Sequence, residues 1–268
     1  MATHREGMAT HRKASARAPR GYFEWEAAGL RWLAGAPGGA PVVEVHGVGP
    51  GYLDLARLTS TTPTRAAAQR FGEQLAHTHR AGPAGGTAGP RGAYGSGPDG
   101  WEGDGFFGPL SDPLPLSLTP HATWAQFYAL ERLAPITRAC RDAGVLSADD
   151  AALLDRVGAG LTEYDTCEPP ARIHGDLWSG NIMWTADGAT LIDPAAHGGH
   201  READLAMLAL FGAPHLEVSI AAYQGVWPLA SGWRERVALH QLYPLAVHAL
   251  LFGGGYAAQT VAAARRYA

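Results

Sequence analysis

Two cysteines, Cys140 and Cys167, are all that the 268-residue sequence contains. They are too few for a disulfide framework and lack the Cys-x-x-Cys spacing of a metal or redox pair, so two free thiols in a reducing compartment are expected. No apolar run reaches the ~18 residues of a membrane span. No hydrophobic segment follows the basic N-terminus, as a secretory signal requires. The expected location is therefore the cytoplasm, with no membrane partner. Charge is sparse, 17% of residues with a formal net charge of −4, and no basic stripe stands out, which argues against a nucleic-acid partner. Apolar residues fill the place of charge: at 46% they suit a globular chain, not a disordered one. The length allows one large domain or two lobes.

The pentapeptide MATHR occurs at Met1–Arg5 and again at Met8–Arg12. It is too short to be an architectural repeat, and roughly the first ten residues are expected to be poorly ordered. Tyr22–Ala34 has the spacing of a helix stopped by GAPGGAP. PVVEVHGVG and GYLDLARL read as two strands around a Gly-Pro-Gly turn. A helix follows from Thr64, with Ala68, Phe71 and Leu75 on one face. From Gly82 to Pro120 Gly and Pro dominate, too long for an ordinary connection and so functional or mobile. Residues 122–143 predict a helix kinked near Pro135, and SADD predicts another capped by Ser147. Further helices are expected around 203–211, 214–224, 233–250 and 255–267.

The informative stretch is RIHGDLWSGNIMW, Arg172–Trp184. It sets His174, Asp176 and Asn181 in a short Gly-containing loop between apolar runs. The continuation NIMWTADGATLID carries Asp187-Gly188 at its centre, a strong hairpin signal. Pairing about that dipeptide sets Trp184 opposite Leu191, Met183 opposite Ile192 and Ile182 opposite Asp193. Asn181 and Asp193 then emerge together, roughly 5 Å apart, with Asp176 in the loop that feeds the first strand. An amide oxygen converging with one or two carboxylates is a hard-oxygen site, suited to Mg²⁺ arriving with phosphates and not to zinc. The spacing fits a phosphotransfer template, H-x-D-x-x-x-x-N followed by a metal-binding Asp. There Asp176 takes or orients the proton of the attacking hydroxyl, and Asn181 and Asp193 hold Mg²⁺. His174 reads as a structural histidine that fixes the loop. Asp204 is either an ordinary acid at a helix start or an anchor for the catalytic loop through backbone N–H groups. Trp178 either packs beneath the loop or walls the acceptor site.

HGDLWSGN (His174–Asn181) and IDPAAHGGHREADLAM (Ile192–Met207), with WEAAGL, DGWEGDGFFGPL and TWAQFYALERL, resemble the signature of the fructosamine kinase (ketosamine 3-kinase) family, a branch of the aminoglycoside- and choline-phosphotransferase-like kinases. The resemblance runs from about Lys13 to the C-terminus. It implies an α+β, bilobal, protein-kinase-like fold, with a small mixed-sheet lobe over 1–58 and a larger, mainly helical lobe over 59–268. It implies ATP and Mg²⁺ as cofactors, and as substrate a ketosamine, on a small amine or a protein lysine, phosphorylated on the sugar 3-hydroxyl so that glycation is reversed. Carried onto this chain, Asp176 is the catalytic base and Asn181 and Asp193 the magnesium ligands. Lys13 grips the nucleotide phosphates with Glu26 as its helix partner, and Leu53–Leu58, with Leu53 and Leu55, forms the adenine-side hinge. Read on its own, Lys13 also fits a solvated basic tail, and Glu24 competes with Glu26, which shares a helix face with Leu30 and Leu33. Relatives carry a strand, a glycine-containing phosphate-covering loop and a second strand before that lysine. Here MATHREGMATHR stands in that place, so an abbreviated small lobe with an open sheet edge is expected. Three other readings stay open: a kinase of an aminoglycoside-, choline- or homoserine-like alcohol, a non-catalytic kinase-like binding protein, and a two-carboxylate metal hydrolase with His197 and His200 nearby.

Overall fold

The computed structural model describes residues 9–83 and 92–268; the expectation of disorder at the start of the chain concerns residues mostly outside that range. Strand β1 (Thr10–Ala14) is followed by helix α1 (Tyr22–Ala34) and the hairpin β2 (Val45–Gly49) and β3 (Tyr52–Ala56). The three strands form one antiparallel sheet in the order β1-β3-β2. Phe23, Ala27 and Leu30 of α1 pack against Leu53 and Leu55 of this sheet and against Val43, just before it. The strand expected over PVVEVHGVG is shorter than its apolar run. Its first part leaves the sheet, where Val42 bridges Leu191 and Val43 N–H donates to Leu191 O at 3.0 Å. That detour ties the small sheet to the hairpin that carries Asp193.

Helix α2 (Arg65–Arg80) starts on Thr64, whose hydroxyl accepts from Ala67 N–H. Its Ala68–Phe71–Leu75 face is buried with Trp184, Leu191 and Tyr223. A Cβ on Gly72 of this helix would lie 2.0 Å from Ser219 O, so only glycine permits the close approach to the chain at Ser219. Within the Gly- and Pro-rich region, part of which is outside the described residues, a short hairpin forms from β4 (Gly105–Phe107) and β5 (Leu114–Leu116). Trp25 Nε1–H donates to Phe106 O at 3.0 Å and clamps this hairpin to α1.

The helix expected over 122–143 is not one helix. It runs as α3 (Trp124–Phe127), a wide π turn (Tyr128–Leu133) and α4 (Ala134–Asp142). Pro135 has no N–H to give to Glu131 O; the Arg132 Nη1 group donates there instead, at 2.9 Å. Helix α5 (Ala148–Gly160) starts on Ser147, which accepts from Asp150 N–H. Strand β6 (Ala171–Ile173) then leads into the loop, β7 (Ile182–Thr185), β8 (Gly188–Leu191), β9 (His197–Gly199), α6 (Arg201–Phe211) and α7 (Leu216–Val226).

The expected 233–250 helix divides into α8 (Trp233–His240) and α9 (Leu242–Phe252), before α10 (Tyr256–Ala264). Pro244 is the cause, since it cannot donate to His240 O. The Tyr128 hydroxyl reaches that carbonyl at 3.3 Å and Leu239 O at 2.9 Å. The β7–β8 hairpin departs from the pairing expected of it. The pairs are Ile182–Leu191, Met183–Thr190, Trp184–Ala189 and Thr185–Gly188, a shift of two residues from the pairing about Asp187-Gly188. The turn is Ala186-Asp187. A shift of two keeps every side chain on its own face of the pleat, so the apolar pattern did not discriminate between the registers.

Candidate active site

The loop His174–Asn181 hangs between β6, which pairs with β9, and the β7–β8 hairpin. Its conformation depends on Gly175, at φ +81, where a Cβ would lie 2.2 Å from Ala195 O. Asp204, in the first turn of α6 and 1% exposed, anchors the loop from below. Its Oδ2 accepts from His174 N–H at 2.7 Å and its Oδ1 from Gly175 N–H at 3.0 Å. Behind it, His79 Nε2 lies 3.1 Å from Oδ2, and His79 Nδ1 lies 2.8 Å from the Tyr223 hydroxyl. Burial alone would raise the Asp204 pKa, but its bonds to His79 and the His174 amide hold it below the ordinary value. Asp204 is thus an ionised anchor and not only an acid at a helix start.

Both ring nitrogens of His174 are committed. Nδ1 accepts from Asp176 N–H at 3.2 Å, and Nε2 faces Ile192 O at 2.9 Å. With burial lowering its pKa, His174 is a neutral brace for the loop. Asn181 closes the loop from the other end. Its Nδ2 donates to Asp176 O at 2.8 Å, Asp176 Oδ2 at 3.0 Å and Asp193 O at 3.4 Å. The amide nitrogen is therefore used up, while Asn181 Oδ1 and Asp176 Oδ1 have no hydrogen-bond partner among the described residues. Asp176 is pushed up to about 8, first by burial, with Asn181 pulling it down and the charges of Asp193 and Asp204 pushing it up.

Lys13 lies on β1, opposite Leu53, and is not in a loose tail. Its Nζ is 2.8 Å from both Glu26 oxygens and 3.1 Å from Asp193 Oδ1. Glu26, and not Glu24, is the partner. Burial works against the Lys13 charge, but Glu26 and Asp193 hold its pKa above the ordinary value. Glu26 is raised to about 7 by burial, against Lys13 and with Asp193. Asp193 itself adopts φ +54 and keeps its side chain 43% exposed.

Two clefts meet at Lys13 and Asp193. One, of about 340 Å³, is bounded by Tyr22, Asp176, Trp178, Asn181, Phe107 and His248 among others. The second, of about 440 Å³, runs under the sheet past Val43, Leu55, Ala56, Leu58, Met183 and Ile192. Leu55 lines it; Leu53, on the same strand face, is instead fully buried against α1. At their junction three carboxylates, Glu26, Asp176 and Asp193, face one ammonium. Their oxygens, with a free amide oxygen beside them, fit a hard divalent cation such as Mg²⁺, whose charge would favour the ionised carboxylates. Asn181 and Asp193 are the residues that would hold it. His197 and His200 are not there. They lie behind the loop, and His200 with Glu202 and His240 forms a separate buried group.

Trp178 is 40% exposed and stands edge-on to Phe211 at 6.1 Å, so it borders the first cleft instead of packing beneath the loop. Nothing in the sequence pattern marks Tyr22, the β4–β5 hairpin and His248 as cleft residues, or His79 as the support of Asp204. Tyr22 sits among Glu26, Lys13, Asp193 and Asp176; burial and the three carboxylates, against Lys13, push its phenol up to about 12. A compositional signal was also available. Lys13 is the chain's only lysine and Asn181 its only asparagine, and both stand at this junction.

The sequence profile of the fructosamine kinase family matches residues 4–267. The chain belongs to that family. A Synechocystis protein named as a probable ketoamine kinase is 34% identical over 245 residues, covering 88% of this chain and 75% of that protein. One of the same description from Vibrio parahaemolyticus is 33% identical over 71% of this chain, and the match spans only 59% of its own length. The crystal structure of a Thermobifida fusca protein provisionally named fructosamine-3-kinase superposes with a TM-score of 0.86 at 46% identity, covering 96% of this chain and 85% of that one. An ADP-bound aminoglycoside phosphotransferase superposes at TM-score 0.54 with 11% identity, a likeness of fold alone. The fold is that of the kinase-like phosphotransferases, α+β with a small sheet lobe and a larger helical one.

Proposed function

We propose that this fructosamine kinase family member transfers the γ-phosphoryl group of ATP to the sugar 3-hydroxyl of a ketosamine, and that Asp176 is the base. The observation that carries the reading is the meeting of two clefts at Lys13 and Asp193, with the free Asp176 Oδ1 on one side only. The nucleotide occupies the cleft under the sheet, its adenine beside Leu55 and its phosphates at Lys13. The ketosamine occupies the cleft lined by Trp178. Mg²⁺, when bound, neutralises phosphate charge. As the acceptor oxygen bonds to phosphorus, the bond from the γ-phosphorus to the bridging oxygen breaks and ADP departs. The hydroxyl proton goes to Asp176 Oδ1, while Asn181 holds Oδ2 so that one oxygen points at one task. Tyr22, neutral because of its surroundings, supplies a hydroxyl donor beside the same charges.

The acceptor cleft favours a ketosamine over a polycationic alcohol such as an aminoglycoside. Away from the four charged residues its walls are Phe107, Pro109, Leu110, Val247, Leu251 and Phe252, with no acidic cluster to select several ammonium groups. The sugar stands on Trp178, and the amine substituent leaves past Phe252, which is 59% exposed. A small amine and a protein lysine can both follow that exit. Phosphorylation at the 3-position makes the adduct decompose, which reverses glycation.

The test is ATP consumption by the purified chain with Mg²⁺, with and without a fructosyl-lysine derivative, beside an Asp176→Asn variant. Turnover that requires the ketosamine and disappears in the variant supports the reading. ATP consumption indifferent to the ketosamine, or undiminished in the variant, overturns it.

A further inference from the structure

Behind the catalytic loop, on the far side of Phe107, lies a small cavity of about 50 Å³ bordered by Arg132, Gly175, His197 and His240. Arg132 is only 3% exposed and makes no ion pair among the described residues. Its Nη1 donates to Ser117 O at 3.0 Å and Glu131 O at 2.9 Å, and its Nη2 lies 3.3 Å from His197 Nε2. The Phe127 ring covers one face, 4.4 Å away. These contacts leave the Nε–H and one Nη2–H without a protein acceptor among the described residues.

That unused edge is the one this chain uses elsewhere for carboxylates. In Arg12 it grips Asp54, in Arg201 Glu168 and in Arg236 Glu202, each through Nε and Nη2 together. A nearly buried guanidinium whose fork meets only the cavity is completed best by an anion with two parallel acceptor oxygens. A second group in the same cavity is also incomplete. His240 is 2% exposed and its Nδ1 has no partner; Nε2 stands 3.4 Å from Glu202 Oε2 but outside hydrogen-bond geometry. As an imidazolium it would point one donor at Glu202 and the other into the cavity. A metal ion does not fit the neighbouring His200–Glu202–His240 group, because Arg236 already takes both Glu202 oxygens.

We propose that this cavity is a binding site for a small planar oxyanion of the carboxylate class, of formate or bicarbonate size, held edge-on by Arg132. A spherical halide cannot use two parallel N–H groups as well as a planar oxyanion does. The bound ion would bear on His197, whose Nδ1 lies 2.8 Å from Ala195 O and borders the space under Gly175. It therefore sits one side chain away from the catalytic loop. The proposal does not rest on the kinase reading.

Thermal unfolding of the full chain, compared in sodium formate, bicarbonate, phosphate and chloride at equal ionic strength, tests it. Formate or bicarbonate, whichever is the better ligand, is expected to raise the midpoint by several degrees over chloride and phosphate. Arg132→Lys, which keeps the charge and removes the fork, loses that difference, while Lys13→Arg and Asp176→Asn retain it. Should Arg132→Lys fail to fold, diffraction from wild-type crystals soaked in formate decides, with planar density on the Arg132 edge expected. Equal response to all four anions, a shift that survives Arg132→Lys or vanishes with Lys13→Arg, or water alone in the cavity overturns the assignment.

Discussion

Asp204→Asn asks whether the anchor beneath the catalytic loop acts through its charge and its two acceptor oxygens. In the wild type, three donors converge on those oxygens: the His174 and Gly175 amides and, in the tautomer that also satisfies Tyr223, His79 Nε2–H. An asparagine keeps most by leaving its oxygen where Oδ2 was, facing His174 and His79. Its NH₂ group then meets the Gly175 N–H, donor against donor. One charge-assisted bond is lost and one buried amide is left without an acceptor, together about 3 kcal/mol with a range of roughly 2–5. Measured by urea denaturation, that is a shift in midpoint at unchanged slope. Amide exchange should single out Gly175, whose protection falls while the amides of α2 and α7 change only with global stability. A loss below about 1 kcal/mol, or Gly175 protection equal to wild type, would refute the claim that Asp204 holds this loop.

Glu202 provides a pH test. Burial would raise its pKa, but the nearby His240 imidazole and the two hydrogen bonds from Arg236 outweigh burial and hold it at about 2. A carboxylate held below its unfolded value of about 4.3 stabilises the fold above that pH and stops doing so as pH falls toward 2. Relative to Glu202→Gln, wild type should lose roughly 3 kcal/mol between pH 5 and 2 in urea titrations; parallel curves would sink the assignment. Lys13→Arg keeps the charge but cannot put one nitrogen within reach of both Glu26 oxygens and Asp193. A displacement near 1 Å at the phosphates is expected to lower kcat/KM about a hundredfold, and steady-state kinetics with an unchanged melting point checks it. Trp178→Ala should raise KM for the ketosamine, leave KM for ATP alone, and shift stability by less than about 1 kcal/mol because the ring is largely exposed. A matched rise in both KM values would remove Trp178 from the acceptor side.

Much of the site was legible because it is local. Asp176, Asn181 and Asp193 lie within eighteen residues of one another, and a loop feeding a two-stranded hairpin brings them together whichever of two registers the hairpin takes. Long-range geometry was less legible. Nothing in the sequence near Val42 announces that it will bridge Leu191, and the apolar run there fits a strand in either partner sheet. Helix breaks at Pro135 and Pro244 were visible as prolines. How the orphaned carbonyls would be satisfied, by Arg132 and by Tyr128, depends on packing partners far along the chain. The single lysine and single asparagine carried information that motif spacing did not. A chain that otherwise uses arginine for its fixed positive charges has an ammonium where three carboxylate oxygens converge on a point.

The backbone at Asp193 shows what that junction demands. An L-residue at positive φ costs about 1–3 kcal/mol, and a following proline restricts the position further. Glycine would relieve the strain, and neighbouring Gly175 shows that this chain uses glycine where conformation alone decides. Asp193 remains because its carboxylate must stand at the seam of two clefts, within reach of Lys13 and open to solvent. Asn181 supports it by donating to the Asp193 carbonyl and to Asp176 with the same nitrogen. The strained residue, the sole asparagine and Asp176 are therefore one hydrogen-bonded unit. A change at any one of them should disturb the other two before it disturbs the fold.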